Sequence, residues 1–304
     1  MTCRAHFTTL GPVSGRQRHL GAAFVAGAAT LWGLWPVWVR GSASGPEAAT
    51  IALLTCGVVA VPVALWSARG RRRPLRAWLL VPALGASQAI NCWFYFRALG
   101  EGAIAPAVLS HYLAPILVAA AAPRLLGEAR HPRTPLALAA ALGGTALLVF
   151  ATPAGELSAE AVRTGIVFGG ASALFYACCV LLSKRMSRDF SDLELTAYHT
   201  LVAGLLLLPI TGARPPWLHP IAGSLVSTLT AGVLYYAGLR RLPAERAGVL
   251  SYLEPVMAIL VGWLVFSERP GLGALAGGLL VVGGGLLVVL GPTDPRAAES
   301  QRNP

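Results

Sequence analysis

The chain has 304 residues, of which 55% are hydrophobic and only 12% are charged. A soluble domain carries about 25% charged residues, so this composition excludes a chain with a water-facing surface on all sides. The net charge of +11 would suit nucleic acid if the chain were soluble. Here the basic residues flank long apolar stretches, so we interpret them as determinants of membrane topology and expect no nucleic-acid partner.

Apolar stretches of about 20 residues recur along the chain, and a helix of this length crosses a hydrocarbon core of roughly 30 Å. The first stretch contains Trp32, Trp35 and Trp38 and is too long for the apolar region of a signal peptide. We therefore predict an all-α integral membrane protein embedded in the lipid bilayer. Its ten transmembrane helices are predicted near 20–39, 47–67, 77–97, 102–123, 134–152, 163–183, 193–212, 217–238, 244–266 and 271–291.

The basic residues predict the orientation of these helices. If the N-terminus is cytoplasmic, most of the 24 Lys and Arg residues fall in cytoplasmic segments. The exceptions are Arg40, Arg97, Arg163, Arg214 and Arg269. The excess of positive charge on one side predicts that both termini are cytoplasmic, with tails at 1–19 and 292–304.

The two halves of the chain match each other at an offset of 140 positions. YLAPI (112–116) falls on YLEPV (252–256), and LGGTALLVF (142–150) falls on VGGGLLVVL (282–290). A shared bias toward apolar residues is the alternative explanation. Because each copy contains five helices, an odd number, two true copies would have opposite orientations in the membrane. We predict two inverted repeats, at 20–152 and 163–291, around a central cavity that holds the substrate site.

Glu254 is a carboxylate deep within an apolar stretch, beside the small residues Ala247, Ser251 and Ala258. A charged group at the bilayer centre costs about 2.5–3.5 kcal/mol, so it favours a protein interior or a hydrated cavity. His111 falls on Ser251 in the repeat. Our hypothesis is that Glu254 binds a proton or a substrate ammonium and that His111 is its polar partner. The alternatives are a packing carboxylate and a structural histidine.

Polar residues form matching stripes on the third and eighth predicted helices. Gln88, Asn91 and Tyr95 share one helical face, and Thr228 and Tyr235 occupy equivalent positions in the second half. Two equivalent stripes favour side chains that line the cavity. The alternative is hydrogen bonding between neighbouring helices.

Aromatic residues and prolines complete the predicted site. Trp32 and Trp35 share a face of the first helix, and Tyr176 lies near the matching part of the sixth. Aromatic walls suit an apolar or cationic substrate, although Trp is also a common interfacial anchor. Pro115 and Pro255 each remove a backbone donor, so we expect a kink or a hinge at both positions.

Other residues are predicted to have architectural roles. Glu128 and Glu268 end the fourth and ninth helices, and we interpret them as structural or gating caps. The paired glycines 143–144 and 283–284 suit close packing of the fifth and tenth helices. Packing within one chain and packing across a homodimer are both left open.

These features resemble the drug/metabolite transporter superfamily, specifically its EamA-type members. The resemblance is carried by the ten helices in paired halves, Trp32–Gly33, the LEP at 253–255 and the Glu residues that end the fourth and ninth helices. It covers roughly residues 20–291. It implies a multi-pass protein of the plasma (inner) membrane that exports or takes up amino acids, other metabolites or toxic compounds.

We therefore predict a secondary transporter that moves a small metabolite, such as an amino acid, an amine or a drug-like compound, by alternating access. Export follows the habit of the family, an uptake permease is the alternative, and an intramembrane enzyme is less favoured. The chain contains no GxxxxGK[ST] pattern and no intramembrane Asp that could form a catalytic pair with Glu254. We expect neither enzymatic activity nor a metal or other cofactor, and proton coupling is left open.

Overall fold

The computed structural model describes residues 15–39, 45–69, 72–129, 131–150, 158–212, 222–267 and 270–290. Within these ranges the regular secondary structure is helical, and no strand occurs. The all-α class is therefore confirmed for the described part of the chain. A helix satisfies its own backbone hydrogen bonds, which is what an apolar environment demands of a chain with this composition.

The helices of the first half are α1 (Gly15–Gly33), α2 (Trp35–Val39), α3 (Gly45–Ser67), α4 (Leu75–Trp78), α5 (Leu80–Glu101), α6 (Ile104–His111), α7 (Ala114–Leu125) and α8 (Thr134–Phe150). The second half contains α9 (Ala159–Met186), α10 (Asp192–Thr211), a π-helical segment (Leu225–Thr230), α11 (Ala231–Arg241), α12 (Ala244–Ser251), α13 (Leu253–Phe266) and α14 (Leu272–Val289). The first helix thus begins within the predicted N-terminal tail. The rest of that tail, 1–14, and the tail at 292–304 lie outside the described residues.

Eight helical stretches in the described ranges are long and apolar enough to cross a membrane. They are Pro46–Ser67, Leu75–Glu101, Ile104–Leu125, Ala159–Met186, Asp192–Thr211, Ala222–Arg241, Ala244–Phe266 and Leu272–Val289. Thr134–Phe150 is a shorter apolar helix, and α1 and α2 together overlap the first predicted span. Helices therefore overlap all ten predicted ranges, and the crossing of the membrane by all ten stays a prediction.

The most extensive helix packing joins the two halves of the chain. α3 lies against α10, α8 against α14, α5 against α9 and α1 against α11. The second helix of each half thus packs on its counterpart, and so does the fifth. The third helix of each half packs on the first helix of the other. Such reciprocal contacts are expected if the two halves are related by a two-fold axis. The opposite orientation of the halves in the membrane stays a prediction.

Glycines bring α8 and α14 into close contact. A Cβ atom added at Gly144 would lie 2.6 Å from the backbone oxygen of Gly277, and one added at Gly284 would lie 2.8 Å from a backbone oxygen of α8. Nothing lies within 4 Å of a Cβ added at Gly143 or Gly283. The fifth helices of the two halves therefore pack on each other within the chain through one glycine of each pair, and packing across a homodimer stays a prediction.

Polar contacts link the halves at the end of the bundle that carries Arg73 and Lys184, here called the basic end. Arg73 Nη2 donates to Glu194 Oε2 at 2.8 Å. Lys184 Nζ lies 3.3 Å from Glu128 Oε1. The other oxygen of Glu128 accepts a hydrogen bond from the backbone N–H of Ala244 at 2.7 Å. Both carboxylates therefore join one half to the other.

Glu245 makes a further link at the basic end. Its Oε1 atom accepts hydrogen bonds from the backbone N–H of His131 at 2.9 Å and from the hydroxyl of Thr134 at 3.0 Å. Together with the contacts of Glu128, these bonds hold the start of α12 against the segment before α8. Glu268, the other predicted cap, lies outside the described residues.

Candidate functional site

Two broken helices lie at the centre of the candidate site. α6 ends at His111 and α7 begins at Ala114, while α12 ends at Ser251 and α13 begins at Leu253. Each helix ends four residues before a proline, Pro115 or Pro255. Proline has no N–H to donate to the carbonyl four residues earlier, so the regular bond to each of these two helix-ending residues cannot form. The breaks are therefore local consequences of the sequence, and a hinge at either one stays a prediction.

The two breaks adjoin one another through Tyr112 and Tyr252. Their rings stack with centroids 5.3 Å apart and planes 28° apart. The hydroxyl of Tyr252 donates to the backbone carbonyl of Tyr112 at 2.5 Å. A carbonyl at a helix break needs a partner in a dry environment, and this hydroxyl supplies one from the other half of the chain.

His111 is held by a chain of hydrogen bonds that reaches α9 and α5. Its Nδ1 atom lies 2.8 Å from the hydroxyl oxygen of Ser172, and that hydroxyl donates to Oδ1 of Asn91 at 2.8 Å. Because a hydroxyl carries a single proton, Nδ1 of His111 is the donor to Ser172. The Nε2 atom is then the acceptor nitrogen of the neutral ring, which leaves it able to accept a hydrogen bond from a substrate.

Aromatic rings surround this histidine. The centroid of the His111 ring lies 4.2 Å from that of Tyr95, 5.4 Å from that of Tyr176 and 5.6 Å from that of Tyr112. The structure thus brings together His111, Tyr95, Asn91 and Tyr176 from three predicted membrane helices. Their side chains form one wall with both apolar faces and polar edges.

Glu254 follows the Tyr252 break and faces the same rings. Its carboxyl group lies near the side chains of Tyr112, Tyr95 and Tyr176. Glu254 is half-buried. Among the described residues, no basic side chain forms an ion pair with it. The carboxylate therefore lies among aromatic side chains without a positive partner from the described chain.

The predicted pairing of Glu254 with His111 is indirect in the structure. His111 bonds to Ser172, Glu254 lies near Tyr112, and the rings of Tyr112 and Tyr95 contact the histidine. The two groups therefore share ring neighbours. A ligand in contact with both would lie against these rings.

Tyr235 and Ser251 lie at another edge of the site. The ring of Tyr235 packs on that of Trp32, with centroids 5.1 Å apart. Its buried hydroxyl adjoins the hydroxyls of Tyr176 and Ser251 but makes no hydrogen bond of good geometry within the described structure. Ser251 donates instead to the backbone oxygen of Ala247 at 3.0 Å. Tyr235 thus offers a polar atom that a ligand could satisfy.

The remaining predicted site residues have other contacts. Gln88 donates to the sulfur of Cys92 at 3.3 Å within its own helix. Of the predicted stripe, only Asn91 and Tyr95 therefore contact the His111 site. Thr228 lies in the π-helical segment, and Trp35 is a half-buried residue at the start of α2. The contacts described in the structure join none of these three to the His111 cluster.

Sequence reasoning missed Tyr112, Tyr252 and Ser172 as members of the site. The two tyrosines were visible as the first residues of the matching YLAPI and YLEPV segments, where only the proline and the glutamate were given a role. The π-helical segment was also missed, although such segments are frequent at functional sites. Trp38 donates to the hydroxyl of Ser227 in this segment at 3.1 Å. No pattern in the sequence marked Ser172.

Comparisons with known proteins agree with this architecture. The sequence profile of the EamA-like transporter family matches residues 19–150 and again residues 163–290. An uncharacterized transporter of Archaeoglobus fulgidus is 32% identical over 271 residues, which cover 88% of this chain and 95% of that protein. The aromatic amino acid exporter YddG of Ancylobacter novellus is 27% identical over 245 residues, which cover 76% of this chain and 84% of that one.

A solved crystal structure has the same fold, with a TM-score of 0.76 over 89% of this chain and 98% of that chain, at 23% identity. The apolar helices and these matches define the chain as a multi-pass membrane transporter. It belongs to the EamA-like transporter family.

Proposed function

We propose that the chain is a secondary transporter that exports a small amine-bearing metabolite, with amino acids and amines that carry an aromatic group as the favoured substrates. The observation that carries this proposal is the Glu254 carboxylate. It lies among Tyr95, Tyr112 and Tyr176 and has no basic partner among the described residues. A proton or a substrate ammonium supplies the positive charge that the site lacks.

The Glu254 carboxylate is unfavourable in the membrane when it has no cation beside it. A charged side chain at membrane depth costs about 2.5–3.5 kcal/mol on insertion scales. A substrate ammonium that binds next to Glu254 offsets this cost and gains a charge-assisted hydrogen bond. The site therefore favours cationic and zwitterionic amines over neutral or anionic compounds of the same size.

The aromatic walls support a substrate that carries an aromatic group. Tyr95, Tyr176 and the Trp32–Tyr235 pair present ring faces around the same region. Ring pairs gain about 0.5–1.5 kcal/mol beyond the burial of their area, and ring faces also attract cations. The name of the YddG relative, an aromatic amino acid exporter, agrees with this class and supports export as the direction.

Alternating access would use the two halves as moving bodies. The repeated family match, the exchanged helix contacts and the two equivalent helix breaks support an inverted pair of repeats around the site. The polar contacts of the basic end would open in one state and close in the other. Ten helices would cross the plasma membrane with both termini in the cytoplasm, as the distribution of arginine predicts.

The proposal is tested with the purified full chain in proteoliposomes. We would measure counterflow of labelled L-phenylalanine, L-tryptophan, phenethylamine and L-alanine, with and without an imposed pH gradient. We expect saturable transport of the three aromatic compounds and at least about a tenfold loss in Glu254→Gln, because the charge-assisted contact is removed. A rate that follows the pH gradient supports proton coupling, whereas a rate set by the substrate gradient alone supports facilitated diffusion.

The matched control is Glu101→Gln. The side chain of Glu101 is 50% exposed and pairs with Arg97 on its own helix at 2.6 Å, so its loss should leave transport unchanged. Equal transport by the wild-type chain and Glu254→Gln would overturn the role of the carboxylate. Equal transport of L-alanine and the aromatic compounds would overturn the role of the ring walls.

A further inference from the structure

A second concave site lies at the basic end, where α1, α12 and α14 meet. It is lined by Arg18, Ala22, Leu242, Arg246, Leu250, Val288 and Val289. None of these residues belongs to the candidate substrate site. Two of the lining side chains carry a positive charge, and the other five are apolar.

Each of the two guanidinium groups has a donor without a hydrogen-bond partner in the described structure. Arg246 is 7% exposed, and the Nε atoms of Arg18 and Arg246 are buried without a hydrogen-bond partner in the described structure. The two charges are close enough to repel each other. Glu245, the acid next to Arg246, lies close enough to offset part of its charge, while the Oε1 atom of Glu245 accepts hydrogen bonds from His131 and Thr134 of the other half. Two guanidinium groups that line one pocket, each with an unpartnered Nε donor, favour an anion at this site.

The chemistry of the pocket selects a particular kind of anion. Guanidinium groups match the geometry of phosphate oxygens and bind them through paired hydrogen bonds. The apolar part of the lining suits an acyl chain attached to that phosphate. Leu20 and Leu290, which are within two positions of pocket residues in the sequence, are 40% and 69% exposed. Basic pockets between membrane helices are known to take lipid headgroups.

We propose that Arg18 and Arg246 bind the phosphate of an anionic phospholipid and that its acyl chain lies against Leu250 and Val288. The bound lipid neutralises the two charges and holds the first helix of one repeat against the fourth and fifth helices of the other. It therefore stabilises the basic end in its closed arrangement. The site is structural, and transported substrate does not pass through it.

The test is lipid-dependent stability of the full chain in detergent micelles. Micelles would contain phosphatidylglycerol, phosphatidylcholine or inorganic phosphate at matched concentrations, and thermal unfolding and native mass spectrometry would report binding. We expect phosphatidylglycerol to raise Tm and to remain bound, whereas phosphatidylcholine does neither. Arg18→Gln should bind phosphatidylglycerol about tenfold more weakly, because one set of charge-assisted hydrogen bonds is lost.

Arg16→Gln is the matched control, because Arg16 is exposed and lies two positions before Arg18 on the same helix. It should retain the binding of the wild-type chain. If Arg246→Gln fails to fold, Arg246→Lys keeps the charge and loses the planar donor pair, and it should bind the lipid more weakly than the wild-type chain does. Equal stabilisation by inorganic phosphate would assign the site to a soluble phosphate compound and overturn the lipid. Unchanged lipid binding in Arg18→Gln would overturn the site itself.

Discussion

Tyr252 donates its hydroxyl proton to the backbone carbonyl of Tyr112, its counterpart 140 positions earlier in the chain. The two rings also stack, so each half of the chain contacts the other at the equivalent helix break. This contact joins the two helix breaks, which occur where Pro115 and Pro255 have no backbone N–H to donate. Equivalent residues of the two halves thus contact each other within the candidate site.

The Tyr252 contact predicts a graded effect on stability. Tyr252→Phe removes the donor to the Tyr112 carbonyl and keeps the stacked ring, so we expect a loss of about 1 kcal/mol. Tyr252→Ala also empties the buried ring position, and the expected loss is about 3–5 kcal/mol. Unfolding in mixed micelles measures both values. Equal losses in the two variants would contradict a separate contribution from the hydroxyl.

The hydrogen-bond chain through Ser172 predicts an effect on substrate affinity. Ser172→Ala removes the partner of the half-buried His111 and the donor to the buried Asn91. The buried group left unsatisfied costs about 1–3 kcal/mol. The histidine ring is then free to rotate, and the measured KM for transport should rise. Ser87→Ala is the control, because that exposed hydroxyl bonds only to the backbone of its own helix. An unchanged KM in Ser172→Ala would separate His111 from substrate binding.

The glycine contact between α8 and α14 predicts opposite results at adjacent positions. Gly144→Ala places a methyl group 2.6 Å from the backbone oxygen of Gly277, so the helices must separate, and we expect a loss of about 1–3 kcal/mol. Gly143→Ala meets nothing within 4 Å, and it should be neutral or slightly stabilising, since alanine favours the helix. Thermal unfolding of the two variants decides the matter. A larger loss at Gly143 would show that the helices pack on another face.

The ion pair between Arg73 and Glu194 predicts a large cost when one partner is removed. The two side chains are 6% and 1% exposed, so Arg73→Gln leaves a buried carboxylate unpaired, at about 3–5 kcal/mol. The double variant Arg73→Gln/Glu194→Gln should recover part of that loss.

The exposed pair Arg97–Glu101 is the control for this prediction. Its side chains are 37% and 50% exposed, and Arg97→Gln should cost less than about 1 kcal/mol. Urea unfolding in mixed micelles gives the two comparisons. Similar losses of unfolding free energy at Arg73 and Arg97 would mean that the Arg73–Glu194 pair contributes little to holding the two halves together.

Much of the fold followed from local chemistry. The ten apolar stretches, the two prolines and the matching YLAPI and YLEPV segments are properties of short stretches, and the helices and their breaks occur where these stretches predict them. Helical spacing and the repeat also pointed to His111, Asn91, Tyr95 and Tyr176, whose side chains lie together in the structure; their role in substrate binding stays a prediction.

Other features required the folded chain. Ser172 bonds to His111 across 61 positions, and Tyr112 meets Glu254 only because the two broken helices adjoin. Gly143 and Gly144 look equivalent in sequence, yet only Gly144 faces α14. Arg18 and Arg246 form a pocket although they belong to different halves.

The sequence alone thus determined the membrane class, the helical segments and the repeat, because hydrophobicity and backbone restriction act over a few residues at a time. Only the tertiary structure decided which polar groups meet, which glycine contacts a neighbour and where a carboxylate lacks a partner. These outcomes depend on how one helix is rotated against the next, and a rotation of a single residue position, about 100°, exchanges the buried face for another.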